Sequence, residues 1–333
     1  MSGSGIQIDF FNLLKSKVAE NISFVDDIAE VLHISADSAY RRIRGEKPLL
    51  FQEVCLLAEH YKISVDQFLH LNADNYIFSG KINDHVPETF DNYMNELEKN
   101  FLFFNKFSHR NMQMLIKDIP PFVHFQIPEL AAFKCFLWSK SILDESEYQS
   151  VKFDLNDKRY QKYISQGKKI VELYLQIPNA EIWNIDSINS TLRQINFHYE
   201  SGNIADKQTA FILFEKVEKL INHFQVQAET GKKFLIDGER GDLSSSFMMY
   251  VNELILGDNS YLLELDDRRL TFLNHSVLYF THTTDKRFND SMFTNIENLK
   301  RKSTLISGVG EKDRQRFFNG LRSRIDQHKQ LII

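Results

Sequence analysis

Glycine and proline are spread so unevenly along this 333-residue chain that they limit most of what it can become. Between positions 49 and 230 only Gly80, Gly167 and Gly202 occur, and all six prolines lie in the first 178 residues. These two residues punctuate regular structure, so a long stretch poor in them reads as helix and a sudden cluster as a linker. Gly231, Gly238 and Gly241 arrive together just ahead of Ser244, Ser245 and Ser246, which places a boundary near 230–245. A softer boundary falls at 73–87, where Asp74, Asn75, Ser79, Gly80, Asn83 and Asp84 gather. Three domains are expected, at 6–75, 85–230 and 245–330.

The middle domain reads as all helical. Amphipathic stretches run over 88–107, 126–142, 158–175, 184–199 and 205–230, with no repeat between them. In the last of these, Phe211, Phe214, Val217, Leu220, Ile221 and Phe224 recur at the three-four spacing of one helix face. The third domain changes period. FMMYVNELIL (247–256), YLLELDD (261–267) and the run from Arg268 predict three or four short antiparallel strands, separated by Gly257-Asp258-Asn259 and Asp266-Asp267. From Asp285 the helical spacing returns. The expected fold class is mainly α: an N-terminal helix-turn-helix bundle, an all-helical middle, and a small C-terminal α+β region with a short antiparallel sheet.

Composition excludes several classes. The richest apolar stretches, 101–107 and 133–143, are broken by Asn105, Lys106, Lys134 and Lys140, well short of the roughly 20 residues a membrane span needs. No secretory signal is visible, and Met1 to Gly5 reads as a flexible leader. Cys55 and Cys135 both stand in apolar helical settings and read as buried thiols in a reducing, cytoplasmic compartment. A net charge of −5 argues against a general polyanion binder, so any contact with nucleic acid must come from a local patch.

Such a patch exists near the N-terminus. Ser23 with Asp26 resembles a capping box opening a helix whose apolar positions are Val25, Ile28, Ala29 and Leu32. Ser35 is a good N-cap for a second helix, ended by Gly45 and Pro48, with Ala36, Ala39, Tyr40 and Ile43 expected to face inward. A third helix carries Phe51, Val54, Leu57, Ala58 and Tyr61, and Ser64 with Gln67 opens a fourth. Two short helices joined by a tight turn, with the small Ala29 at their approach, describe a helix-turn-helix. The run IAEVLHISADSAYRRIRGE resembles the DNA-binding core of the Cro/CI-like (XRE-type) transcriptional regulators, and HYKISVDQFL resembles their closing helix. This likeness covers about 60 residues. It implies a supporting helix at 25–33, a recognition helix at 35–44, a left-handed backbone at His33 and a dimer that reads both halves of a palindrome.

With that inward face, the second helix presents Asp37, Ser38, Arg41, Arg42 and Arg44 outward; Arg42 stands where these regulators commonly carry an aliphatic residue, so a slight rotation of the helix leaves open which of Arg41 and Arg42 faces the groove. Arginine in a major groove can fork onto guanine O6 and N7, discriminating by about 1–3 kcal/mol per good pair. Ser35 and its helix N-terminus suit a phosphate, as do Arg44 and Lys47, which position without specifying. Asp37 and Ser38 can touch bases, Asp37 where it meets a cytosine amine. Positions 35–47 hold four basic residues against two acidic ones, while 23–70 as a whole holds five against eight.

Elsewhere the signals are plain. The GKKF run at 231–234 lacks P-loop spacing and reads as linker, and the SGVG run at 307–310 reads as a turn between helices. No His/Cys cluster has metal spacing, no cofactor motif occurs, and no catalytic constellation stands out, so the chain does not read as an enzyme. Residues 285–329 hold eleven basic side chains against six acidic, which could meet an acidic partner, the acidic remainder of the chain or DNA flanks. The clusters Phe101, Phe103, Phe104, Phe107 and Phe122, Phe125, Phe133, Phe136, Trp138 build core, and could frame a pocket for an apolar or peptide effector. The expected function is a cytoplasmic regulator binding double-stranded DNA as a homodimer, with a C-terminal regulatory or partner-binding portion; the alternative is an adaptor whose helical domain binds another polypeptide.

Overall fold

The computed structural model describes residues 3–15, 18, 23–69, 76–80, 89–238, 245–254 and 257–332, and divides the chain into two units, Met1–Ile77 and Phe78–Ile333. Among the described residues the first unit is five helices: α1 (Gly3–Lys15), α2 (Phe24–Leu32), α3 (Ala36–Ile43), α4 (Phe51–His60) and α5 (Val65–Leu69). Their core gathers Phe10, Phe11 and Leu14 from α1 around Ile28, Leu32, Ala39 and Leu57. The run expected as a flexible leader therefore already enters α1 at Gly3. Helices this short are marginal alone, so burial of the shared apolar faces holds them.

Two identical turns set the angles between these helices. His33 and Lys62 both take left-handed backbone, each at φ 52°. That twist lets the Ile34 amide donate to the Ala29 carbonyl and the Ile63 amide to the Ala58 carbonyl, each at 3.0 Å. A serine follows each isoleucine, and Ser35 Oγ caps α3 by accepting from the Ser38 amide. Ser23 makes no such cap, contrary to expectation; the side chain of Gln67 lies outside the described residues.

The second unit overturns the mainly α expectation. Its elements run α6 (Phe90–Phe104), β1 (Arg110–Ile116), α7 (Pro128–Ser141), α8 (Ser146–Gln149), α9 (Gln161–Leu175), β2 (Asn179–Trp183), α10 (Asn189–Glu200), α11 (Lys207–Thr230), β3 (Lys232–Lys233), β4 (Ser245–Val251), β5 (Ser260–Leu265), β6 (Arg268–Asn274), β7 (Phe280–Thr283), α12 (Lys286–Arg301), β8 (Thr304–Leu305) and α13 (Glu311–Gln330). The strands form one mixed eight-stranded sheet in the order β3-β4-β2-β1-β5-β6-β7, with β8 paired to β4. β1, β2 and β4 are parallel, and the other pairings are antiparallel. The five helices expected in the middle region do form, but α7 to α9 and then α10 with α11 are crossovers between parallel strands, as parallel pairing requires. β4, expected in a small antiparallel sheet, lies parallel to β2, so segments 85–230 and 245–330 share one sheet and one core.

Sheet and helices close over polar groups that satisfy one another. Glu181 in β2 is buried, and its carboxylate accepts from Tyr174 Oη, Asn179 Nδ2 and Trp183 Nε1, each at 2.7 Å. The expected linker after α11 is instead a turn: Gly231, at φ 64°, ends the helix and returns Lys232 and Lys233 to pair with β4. Its further stretch, 239–244, lies outside the described residues, as do 73–75 and 81–87 of the expected polar connector. The SGVG run leads from β8 into α13, where a Cβ on Gly310 would meet the Leu305 carbonyl at 2.8 Å. Among the described residues no helix is long and apolar enough to cross a membrane.

Candidate nucleic-acid interface

α3 begins at Ser35 because its hydroxyl satisfies an amide the helix leaves open, and it ends at Arg44 where Gly45, at φ 73°, turns the chain. Its inward face differs from the expected one by a rotation about its axis. Ala39 is buried and Ile43 half-buried as expected, but Ala36 and Tyr40 are exposed, and Arg42 fills the inward position at 4% exposure. Arg42 is thus removed from the outward set.

Arg42 is held as tightly as a core residue. Its Nε and Nη2 fork onto Glu53 Oε2 and Oε1 at 3.0 and 2.7 Å, and Nη1 donates to the Ser38 carbonyl at 3.2 Å. A planar fork on a carboxylate is the strongest form of this pair. Burial raises the Glu53 carboxyl, but the Arg42 guanidinium and the Leu50 amide outweigh it and hold the group below its ordinary value. α3 is therefore latched onto the first turn of α4.

A second brace comes from α1. Gln7 Nε2 donates to the carbonyls of Arg42 and Lys47 at 2.7 and 2.8 Å, and its Oε1 accepts from the Leu49 amide at 3.0 Å. One carboxamide thus fixes both ends of the loop between α3 and α4. Neither Gln7 nor Glu53 was singled out from the sequence; a polar residue recurring on an otherwise apolar helix face was the available signal.

What remains outside is a compact polar surface. Arg41 and Arg44 have side chains 56% and 58% exposed and stand either side of Glu46, at 4.0 and 3.3 Å. Arg44 also lies 5.5 Å above the Tyr40 ring. Ser35, Asp37 and Lys47 are exposed, and Ser38 is half-buried with its hydroxyl accepting from Ser35 Oγ. Of the expected residues the structure brings Ser35, Asp37, Arg41, Arg44 and Lys47 to the surface, keeps Ser38 at its edge and turns Arg42 inward.

Two other expectations change. Cys55 is exposed rather than buried, while Cys135 is buried and its thiol is raised by desolvation. In the basic C-terminal stretch, Arg324 pairs with Asp186 at 2.9 Å, Lys329 with Glu218 at 2.8 Å and Lys300 with Glu297 at 2.7 Å. Arg314 is buried on the carbonyls of Ile306 and Val309. Much of that charge answers acids and carbonyls of its own unit. Comparison of the chain with protein-family models, with curated proteins and with solved structures finds no match.

Proposed function

We propose that the chain is a sequence-specific transcriptional regulator of the cytoplasm, with α3 entering the major groove of double-stranded DNA and two copies reading a symmetric site. The observation that carries this reading is the division of labour among three neighbouring arginines: Arg42 anchors the helix from behind while Arg41 and Arg44 project from it. A reading helix needs both, because specificity depends on side chains held in a fixed frame. The pairs with Glu46 are solvent-exposed, so they contribute little and leave the guanidiniums able to change partner. The second unit then serves as the regulatory or partner-binding portion.

Selection of bound fragments from random DNA, followed by gel-shift titration at two salt concentrations, tests this. A recovered site with two-fold symmetry, and a Lys47→Ala variant that weakens all sequences alike and flattens the salt dependence, is the expected result. Absence of any DNA bound more tightly than about 0.1 mM at low salt sinks it, since even non-specific binders usually do better.

A second reading draws on α4. Leu50, Phe51 and Leu56, at the start and middle of this short helix, are 61%, 80% and 46% exposed. Exposed apolar side chains of this kind suit an adaptor that docks another polypeptide. A protein partner retained by the full chain after nuclease treatment, with no DNA selected, would favour it.

A further inference from the structure

Within the second unit, α6 and the face of β1, β5 and β6 leave a cavity of about 480 Å³. This is the size range of small-molecule sites, which run from roughly 300 to 1,000 Å³. Its walls come from Phe101, Phe104, Phe122 and Tyr261 with other rings and leucines, nine phenylalanine and tyrosine rings in all. The rings already meet one another as aromatic ligands would meet them: Phe101 on Phe122 at 5.1 Å and 74°, Phe104 on Phe272 at 5.9 Å and 74°. Four of these phenylalanines belong to the clusters that the sequence offered as core or pocket.

We infer that this cavity binds a neutral aromatic small molecule carrying one hydrogen-bonding oxygen. Three observations set that chemistry. Among the described residues no lysine or arginine lines the space, and the one carboxylate there, Glu96, belongs to a half-buried residue on α6, so none of these walls answers an anionic ligand. The phenols of Tyr93 and Tyr261 are held protonated by burial, and desolvation lowers His282 towards its neutral form. Tyr261 is 7% exposed, and among the described residues its hydroxyl has no partner in hydrogen-bond geometry. The Asn259 side chain near it is already committed to the Lys117 amide and to both the amide and the carbonyl of Asp118. A buried hydroxyl left unmatched is costly, and an oxygen on the occupant would match it.

The rim is equally defined. Ser79 and His282 exchange backbone hydrogen bonds at 2.7 and 2.8 Å, and a Cβ on Gly80 would meet Thr281 Cγ2 at 2.8 Å. Ser79 and Gly80 are exposed, so this paired backbone lies at the outer edge of the lining. The inference stands apart from the DNA reading, since its test involves no DNA.

Equilibrium dialysis of the full chain at pH 7 against 1-naphthol, naphthalene and decan-1-ol provides that test. One saturable site is expected, with 1-naphthol bound roughly tenfold more tightly than naphthalene, about what one hydrogen bond to a buried hydroxyl supplies. Tyr261→Phe should erase that preference while keeping naphthalene binding. Leu97→Trp and Leu270→Trp, both at half-buried wall positions, should each weaken all three probes by about tenfold or more, with folding checked by circular dichroism. No saturable binding, binding unchanged in a folded tryptophan variant, a tighter fit for decan-1-ol, or a naphthol preference that survives Tyr261→Phe would each overturn the assignment.

Discussion

Arg42 in the first unit and Lys233 in the second are both almost out of solvent, at 4% and 1% exposure, yet the two units accommodate a buried cation by opposite means. Arg42 keeps its charge and is matched by a carboxylate in forked geometry. Among the described residues Lys233 donates to the Tyr174 carbonyl alone, at 3.3 Å, and lies 3.7 Å from the centre of that ring, and desolvation brings its ammonium down to about 7. Lys134 repeats the second solution: it donates to Thr191 Oγ1 and Gln194 Oε1, and burial lowers it to about 7. The difference follows from side-chain chemistry. A guanidinium cannot shed its proton and must be paired, whereas an ammonium can be neutralised in place.

The sharpest way to break this comparison is to remove one partner of the fork. Glu53→Ala should destabilise the first unit by about 3–5 kcal/mol in urea denaturation, because it strands a buried charge. Arg42→Met with Glu53→Leu should recover most of that loss; a single variant as stable as wild type would dissolve the contrast.

The lysines predict a dependence on pH. Their folded values lie below their unfolded ones, so the unfolded chain holds the extra protons between about pH 7 and 10, and stability rises with pH across that window. The gain should be roughly 1.4 kcal/mol per pH unit for each lysine that is neutral when folded. Unfolding of the second unit at pH 7.5 and 9 reads this, and Lys233→Met should remove about half of the slope.

A smaller effect separates Arg41 from its neighbour. Arg41→Ala should cost about 1–3 kcal/mol of specific DNA affinity and leave the melting temperature unchanged, whereas Arg42→Ala should lower the melting temperature itself. Gel shift and thermal unfolding of the same preparations make the distinction. The smallest expected effect is on the acid side. Because Glu53 is lowered when folded, the stability it contributes is present above about 4.5 and fades as pH falls through the folded value. An acid titration of Glu53→Gln should lack that component.

How much was legible follows the same physics. The helices could be read because glycine and proline avoid them and their apolar residues recur at helical spacing. β5 and β6 were readable from β-rich runs either side of Asp266-Asp267. β1 and β2 were not, because a parallel strand buried on both faces shows no alternation. Their sequences, RNMQMLI and NAEIW, also carry Gln113, Asn179 and Glu181, whose burial depends on partners supplied by tertiary structure. Missing them cost the fold class, since they are the strands that join the helical segments into a sheet. At the candidate interface the capping serine, the left-handed His33 and the outward Arg41, Arg44 and Lys47 were visible. The inward turn of Arg42 was signalled only by its standing where an aliphatic residue is common; the carboxylate that holds it, eleven positions away, was not legible.

Glu46 gives the exposed surface of α3 a further property. Arg41 and Arg44 do not meet an approaching anion bare; a carboxylate already stands between them. On the proposed DNA reading it is a resident competitor, favouring a duplex that offers several acceptors at once over a stray phosphate that offers one. On that reading, a chain of net negative charge ignores most polyanions around it and still keeps two guanidiniums for one groove.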